Sequence, residues 1–297
     1  MVPITLVTGF LGAGKTTLLS HVLQDPQGLR IAVLVNDFGA VNIDAELLRE
    51  TGEEIISLEN GCICCSLSQG LLATVRGVLQ RHDLPDRILI EASGVSDPFE
   101  IVETLSDPEL RDYAPLDGVI AVVDAGMALF NSEILSLAQR QVACAGLVLL
   151  NKVDIGQGNE VRAWIRSVSP KVTIIPTQQS SVPLPTLFCV GSHVDTFVGN
   201  AVVPNFESND LLVKAPISLQ SLHNLLSALP RGIFRAKGTV NLVEKPAHRC
   251  HLQVSGGQAT LTVGQAWGED PIETRLVFIG LSGSLDSSWL EAQLGLS

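Results

Sequence analysis

Short runs of Val, Ile and Leu recur through the first half of the chain, and polar residues rarely interrupt them. The runs are Ile4 to Thr8, Ile31 to Val35, Glu54 to Leu58, Arg87 to Ile90, Val119 to Val123, Leu147 to Leu150 and Val172 to Ile175. A strand with one wet face alternates apolar and polar residues, whereas a strand covered on both faces does not. The series therefore predicts a mostly parallel sheet with helices on both sides. Between the runs, apolar residues return at helical spacing, as over Thr16 to Leu23, Leu67 to Leu79 and Val161 to Val168. This alternation predicts a doubly wound α/β fold.

The pattern changes after Pro176. Gln178 to Pro185 is polar and Pro-rich, and Gly199 to Asn209 forms a second break, while Leu187 to Val190 between them is apolar enough to pack on the first domain. From Asp210 the chain predicts one amphipathic helix over Leu219 to Leu229. Alternating runs follow at Gly238 to Val243, His251 to Val254, Ala259 to Val263 and Arg275 to Ile279, then a short helix over Trp289 to Leu294. Runs at that spacing, separated by Gly-Gly and Pro turns, predict a small antiparallel α+β domain. The expected organisation is a first domain over 1–185, a linker over 186–209 and a second domain over 210–297.

Composition narrows the function classes. With 46% hydrophobic and 17% charged residues, the 297-residue chain has ample material for two cores. Its net charge is 19 − 31 = −12, which argues against a nucleic-acid groove or an anionic membrane surface. No apolar run approaches the roughly 20 residues of a membrane helix. Met1 to Lys15 lacks a basic n-region and runs into a Gly-rich loop, so no signal peptide is expected. Three of the six cysteines fall within four positions, a pattern of reduced compartments, and the expected location is the cytoplasm.

Gly9-Phe-Leu-Gly-Ala-Gly-Lys15-Thr16 has the spacing G-x-x-x-x-G-K-[ST], directly after one predicted strand and opening a helix. Such a loop curls backbone N–H groups around a β-phosphate, with the helix N-terminus adding a favourable dipole. Gly12, Ala13, Gly14, Lys15, Thr16 and Thr17 are the expected contacts. Lys15 supplies charge at the β/γ-phosphates, and the Thr16 hydroxyl is a Mg²⁺ ligand. A Gly-rich turn with an incidental Lys explains neither spacing nor position.

Asn151-Lys152-Val153-Asp154 follows an apolar strand. The Asp154 carboxylate can accept from guanine N1–H and the N2 amine, donors that adenine lacks at that edge. Asn151 is expected near N7, bracing the loop, with the Lys152 stem over the ring; a surface turn is the plain alternative. In Ile90-Glu91-Ala92-Ser93-Gly94, Glu91 can reach Mg²⁺ and the Gly94 N–H can touch the γ-phosphate. Helix capping is the alternative for Glu91. Val95 stands where Ras-like enzymes keep a water-positioning Gln, so intrinsic hydrolysis is expected to be slow. Asp37, in Asn36-Asp37-Phe38-Gly39, is a candidate to hold Mg²⁺ through water or to orient the attacking water, against a turn-forming Asn-Asp pair.

Cys62-Ile63-Cys64-Cys65 is too tight for unstrained disulfides. A nearby helix N-terminus favours thiolate, and clustered thiolates select Zn²⁺ or another late first-row ion. Three ligands leave a position open, which suits handing a metal on. Small buried cysteines or a redox pair are the alternatives. Cys144, Cys189 and Cys250 read as ordinary buried residues. His248, Cys250 and His251 cannot all converge from one strand, and Arg235 and Lys237 beside Gly238 read as a basic turn before a phosphate contact.

In this order GFLGAGKTT, VNDFGAVNID, ENGCICCSL, IEASGVSDP and NKVD resemble the CobW-type GTPases, a family of P-loop metallochaperones. LPRGIFRAKGTVNL and LVFIG resemble that family's C-terminal domain. The resemblance implies Mg²⁺-dependent GTP binding and slow hydrolysis. It also implies metal held by Cys62, Cys64 and Cys65, a zinc (Zn²⁺) or cobalt (Co²⁺) cargo, and a cytoplasmic client metalloprotein. Many members carry Glu where this chain has Asp37, one methylene shorter. Many also carry a His-rich stretch ahead of the C-terminal domain, where this chain has His193 alone.

The leading expectation is a GTP-hydrolysing metallochaperone with Lys15, Asp37 and Glu91 as its catalytic set, acting as a monomer or a nucleotide-dependent homodimer. A non-catalytic, nucleotide-gated metal sensor shares every motif, and the missing Gln favours it. A P-loop kinase of a small metabolite has Asn151 and Asp154 against it.

Overall fold

The computed structural model describes residues 1–35, 55–57, 66–127, 132–155, 158–188, 190–191, 206–230, 232–255, 258–268, 271–284 and 287–294. These fall into two compact units, the second holding the described residues from 206 onward.

In the first unit, strands β1 (Ile4–Thr8), β2 (Ile31–Val35), β3 (Ile55–Ser57), β4 (Arg87–Glu91), β5 (Leu116–Asp124), β6 (Leu147–Asn151) and β7 (Thr173–Pro176) form one sheet. Its order is β3-β2-β4-β1-β5-β6-β7. Every pairing in it is parallel, so this is the doubly wound α/β fold that the unbroken apolar runs predict. Helices α1 (Lys15–Gln24), α2 (Ser66–Leu79), α3 (Pro98–Leu105), α4 (Pro108–Arg111), α5 (Ser132–Ala143) and α6 (Asn159–Val168) connect the strands.

Alternation along each strand divides the interior into two cores. Ile4, Leu6, Val119, Ala121, Val148 and Leu150 pack on one face with helices that carry Val75, Ile101 and Val142. Val7, Ile120, Val122, Leu147 and Leu149 pack on the other with Leu18, Leu19 and Val22 of α1. Each fully buried Leu contributes about 2–3 kcal/mol, which makes the sheet a rigid platform. Strand order reverses between β1 and β5, and in such sheets ligands bind outside the carboxyl ends at that reversal.

Past β7 the chain stays with this unit as far as Gly191. A short 3-10 turn, Leu184–Leu187, buries Leu184 and Leu187 in the second of these cores. The Val119 N–H donates to the Gly191 carbonyl at 3.0 Å. The residues from 186 that the polarity pattern assigns to a linker therefore begin inside the fold.

The second unit is a five-stranded antiparallel sheet, ordered β11-β10-β9-β12-β8. Its strands are β8 (Phe206–Val213), β9 (Ile233–Val240), β10 (His248–Ser255), β11 (Gln258–Ala266) and β12 (Thr274–Leu281). Helices α7 (Leu219–Ser227) and α8 (Ser287–Gln293) supply Leu222, Leu225 and Leu290 to a core with Leu211, Leu252 and Phe278.

Two expectations need correction here. Strand β8 begins at Phe206, inside the stretch read as a break to Asn209. Its residues Glu207, Ser208, Asn209 and Asp210 carry no apolar period, and their strand character comes from pairing with β12 along the whole element. Strand β9 begins at Ile233 rather than Gly238, so Arg235 and Lys237 lie in mid-strand and buried, not in a turn.

Phe278 is fully buried whereas Leu212 is 54% exposed. Phe278→Ala is expected to lower stability by about 3–5 kcal/mol, and Leu212→Ala by under about 0.5 kcal/mol. Urea unfolding midpoints of the two variants measure the contrast.

Candidate functional site

The carboxyl ends of β1, β4, β5 and β6 bring most of the predicted nucleotide residues together. Gly9 leaves β1 at φ 138°, and a Cβ there would lie 2.2 Å from the Val122 carbonyl oxygen, so the loop can start against β5 only as glycine. Gly14 closes the loop at φ 114° as the N-cap of α1. It has no side chain with which to cap the helix, an arrangement that keeps first-turn N–H groups for an anion. A Cβ on Gly14 would lie 2.4 Å from Asn151 Nδ2 and 2.5 Å from Ser180 Oγ.

Inside this loop Lys15 is 4% exposed. Its Nζ donates to the Gly9 carbonyl at 2.8 Å and the Phe10 carbonyl at 3.3 Å. The Thr16 hydroxyl donates to Glu91 Oε1 at 3.0 Å, and Glu91 is the buried last residue of β4. Thr17 is exposed on the same turn, and Gly12 sits in the loop at φ 72°. Gly94 is buried beside the loop, where an added Cβ would be 2.8 Å from Leu11 N.

Asn151, at the end of β6, is buried and ties the site together. Its Nδ2 donates to the Ala13 carbonyl at 2.8 Å. Its Oδ1 accepts from the Ser180 N–H at 2.7 Å and from the Thr177 hydroxyl at 3.1 Å. Ser180 Oγ in turn donates to the Gly14 carbonyl at 3.0 Å. Lys152 takes the left-handed conformation, φ 61°, with Nζ 2.7 Å from Asp124 Oδ2 at the end of β5. Asp154 is exposed on the following turn.

Thr177, Ser180 and Asp124 escape a reading by motif. Thr177 stands just ahead of the polar, Pro-rich stretch that holds Ser180, and Gln179 and Ser180 adopt left-handed φ of 51° and 54° without being glycine. Only their neighbours in space reveal a role.

The other candidates divide in two. Asp37, Cys62, Cys64 and Cys65 lie outside the described residues, as do Cys189 and His193. Among the described residues no group of three or more His, Cys, Asp or Glu is placed to hold a metal ion. Cys144 and Cys250 are buried free thiols. Burial pushes the thiols of both up, which makes them inert rather than metal-binding.

A sheet of this order, with a G-x-x-x-x-G-K-T loop between its central strand and a helix, defines a P-loop nucleotide-binding protein. The family model described as CobW/HypB/UreG, nucleotide-binding domain matches residues 3–176, and that of the cobalamin synthesis protein cobW C-terminal domain matches 206–295. The chain belongs to the CobW/HypB/UreG family of P-loop GTPases. It is 31% identical to the zinc chaperone YjiA of Escherichia coli K12 over 94% of each chain. It is 29% identical to the zinc chaperone CobW of a Sinorhizobium species, covering 94% of this chain and 93% of the relative. The crystal structure of Zn(II)-bound YjiA GTPase from E. coli aligns over 100% of this chain and 99% of its own, with TM-score 0.51 and 26% identity.

Replacing Asn151 by Ala strips partners from the Ala13 carbonyl, the Ser180 N–H and the Thr177 hydroxyl at once. The expected loss is about 2–4 kcal/mol in nucleotide-free chain, against about 1 kcal/mol for Ser180→Ala. Urea denaturation of each variant checks the ranking.

Proposed function

We propose that the chain is a GTP-hydrolysing metallochaperone that takes up a late first-row ion, zinc before cobalt, through Cys62, Cys64 and Cys65 and passes it to a client metalloprotein. The observation that carries the reading is the meeting, at the carboxyl ends of the inner strands, of the glycine loop, the Thr16–Glu91 pair and the Asn151-Lys152-Val153-Asp154 turn. The relatives named as zinc chaperones support the cargo and its delivery.

The triphosphate lies along Gly12 to Thr17, with Lys15 exchanging its loop carbonyls for β- and γ-phosphate oxygens. Thr16 and Glu91 are hard oxygen donors already within 3.0 Å of each other, a set that fits Mg²⁺ and not a soft ion. Bound there, Mg²⁺ supplies neutralisation of charge on the β- and γ-phosphate oxygens. Asp154 selects guanine through its N1–H and N2 amine while Asn151 holds the loop beneath. Water adds to the γ-phosphorus and the bond to the β–γ bridging oxygen breaks, giving GDP and inorganic phosphate. Val95 offers no polar side chain to orient that water, so turnover is slow, and Asp37 is assigned either to orient it or to hold Mg²⁺ through water.

The thiolates grip the ion in the GTP state and release it after hydrolysis. Coupling of this kind requires different ion affinities in the two nucleotide states, because equal affinities shift nothing. The thiols need a reducing compartment, the cytoplasm. The acidic surface leaves nucleic acid out of the scheme. No described helix is long and apolar enough to cross a membrane. The working form is a monomer or a nucleotide-dependent homodimer. The buried Val95 favours one second reading, a metal sensor that binds GTP without turnover.

Two measurements test the proposal. In a nucleotide panel, GTP is expected to bind at least about 100-fold tighter than ATP. Asp154→Asn is expected to erase most of that preference, and a wild-type chain that binds both alike overturns the guanine assignment. In zinc competition titrations, a non-hydrolysable GTP analogue is expected to raise affinity over GDP by about tenfold or more. Replacing Cys62, Cys64 and Cys65 by Ser removes the difference; equal affinities in wild type reject the coupling, and multiple-turnover phosphate release separates chaperone from sensor.

A further inference from the structure

The loop between β4 and α3 is fastened at two points by adjacent residues of one helix. At its start, the Gly94 carbonyl accepts from Gln141 Nε2 at 3.3 Å, and Gln141 is 1% exposed. At its end, Asp97 pairs with Arg140, whose Nη2 and Nε lie 2.6 Å and 2.9 Å from Asp97 Oδ2. The other Asp97 oxygen, Oδ1, accepts the Phe99 N–H at 3.0 Å as the N-cap of α3. The Arg140 guanidinium carbon also stands 4.8 Å from the centre of the Phe99 ring.

On its opposite side Gly94 has no freedom either. An added Cβ would lie 2.6 Å from Leu11 Cδ2 and 2.9 Å from Leu11 Cα, so Gly94 lies against the phosphate loop itself. The loop from Gly94 to Asp97 is thus held between the phosphate loop and α5. A buried amide such as that of Gln141 costs free energy unless bonded, and nothing in the nucleotide chemistry assigned above uses it.

We propose that Gln141 and Arg140 are positioning residues for recognition of the terminal phosphate. They hold the Gly94 N–H in place against the phosphate loop, and make the Gly94 to Asp97 loop move only together with α5. The consequence reaches further, because α5 runs through the buried Cys144 and Ala145 directly into β6, which ends in Asn151. One helix–strand unit therefore joins the loop that reads the γ-phosphate to the turn that reads the base. Loss of the γ-phosphate is then reported by α5 as a body, not by a free loop.

This inference rests on the guanine-nucleotide reading, and its test keeps the two apart. Affinities for a non-hydrolysable GTP analogue and for GDP are measured by calorimetry on the full chain, for wild type and for Gln141→Met, Arg140→Met and Arg140→Lys. Gln141→Met keeps length and removes the donor. It is expected to weaken the GTP analogue about five- to tenfold while GDP affinity changes less than about twofold. Arg140→Met is expected to do the same, with Arg140→Lys recovering part of the loss.

Equal weakening of both nucleotides, or no change in either, overturns the clamp, because a merely structural role does not alter the GTP-to-GDP ratio. Should Gln141→Met not fold, the two Arg140 variants decide by the same ratio, with thermal unfolding reporting the integrity of each. A wild-type chain that binds neither nucleotide overturns the functional reading, and the clamp with it.

Discussion

The side-chain amide of Asn151 sets the geometry on which the nucleotide site depends. Buried at the end of β6, it donates to one strand-to-helix loop and accepts from another, so that the phosphate loop and the 177–180 loop are held at a fixed separation. Because a buried amide left unbonded costs about 1–3 kcal/mol, the arrangement of the three segments that satisfies it is favoured over ones that do not. Gly14 follows from that closeness: with Asn151 and Ser180 pressed on it, no other residue fits. The cradle is therefore pre-formed by protein groups, and binding energy is not spent on assembling it.

The sheet supplies the rigidity that such a polar junction needs. Both faces of β1, β5 and β6 are packed, so the carboxyl ends that carry Thr8, Asp124 and Asn151 cannot shift without opening a core. Around this platform the polar contacts form two groups. One group, Asn151 with Thr177 and Ser180, fixes the phosphate loop to the end of β6 and to the 177–180 loop. The other, Gln141 and Arg140 with Gly94 and Asp97, fixes the loop after β4 to α5. Both groups meet at β6 and the helix before it. The second unit is organised differently, as an antiparallel sheet with helices on one face and a single core.

Much of this was legible in local patterns. The phosphate loop is readable because its spacing is itself the chemistry: glycines where backbone must bend, then Lys15 and Thr16 at the first helical turn. Strands β1, β2, β4, β5 and β6 of the first unit were readable because burial on both faces demands unbroken Val, Ile and Leu. Strand β8 was not, since Glu207 to Asp210 become a strand only through hydrogen bonds donated and accepted by β12. Arg235 and Lys237 misled for the same reason, as charge suggests a turn until partner strands on both sides define β9.

The order of amino acids alone determined the fold class and the spacing of the phosphate loop, of the Asn151 to Asp154 segment and of the three clustered thiols, because each depends on residues near one another along the chain. Only the tertiary structure decided which distant polar groups support them. Thr177 and Ser180 look like an ordinary polar loop, and Gln141 like an ordinary helix residue, until folding brings them to Asn151 and Gly94. The physical reason is that a buried polar side chain takes its meaning from its bonding partner. For these residues the partner lies between 26 and 47 positions away in the chain.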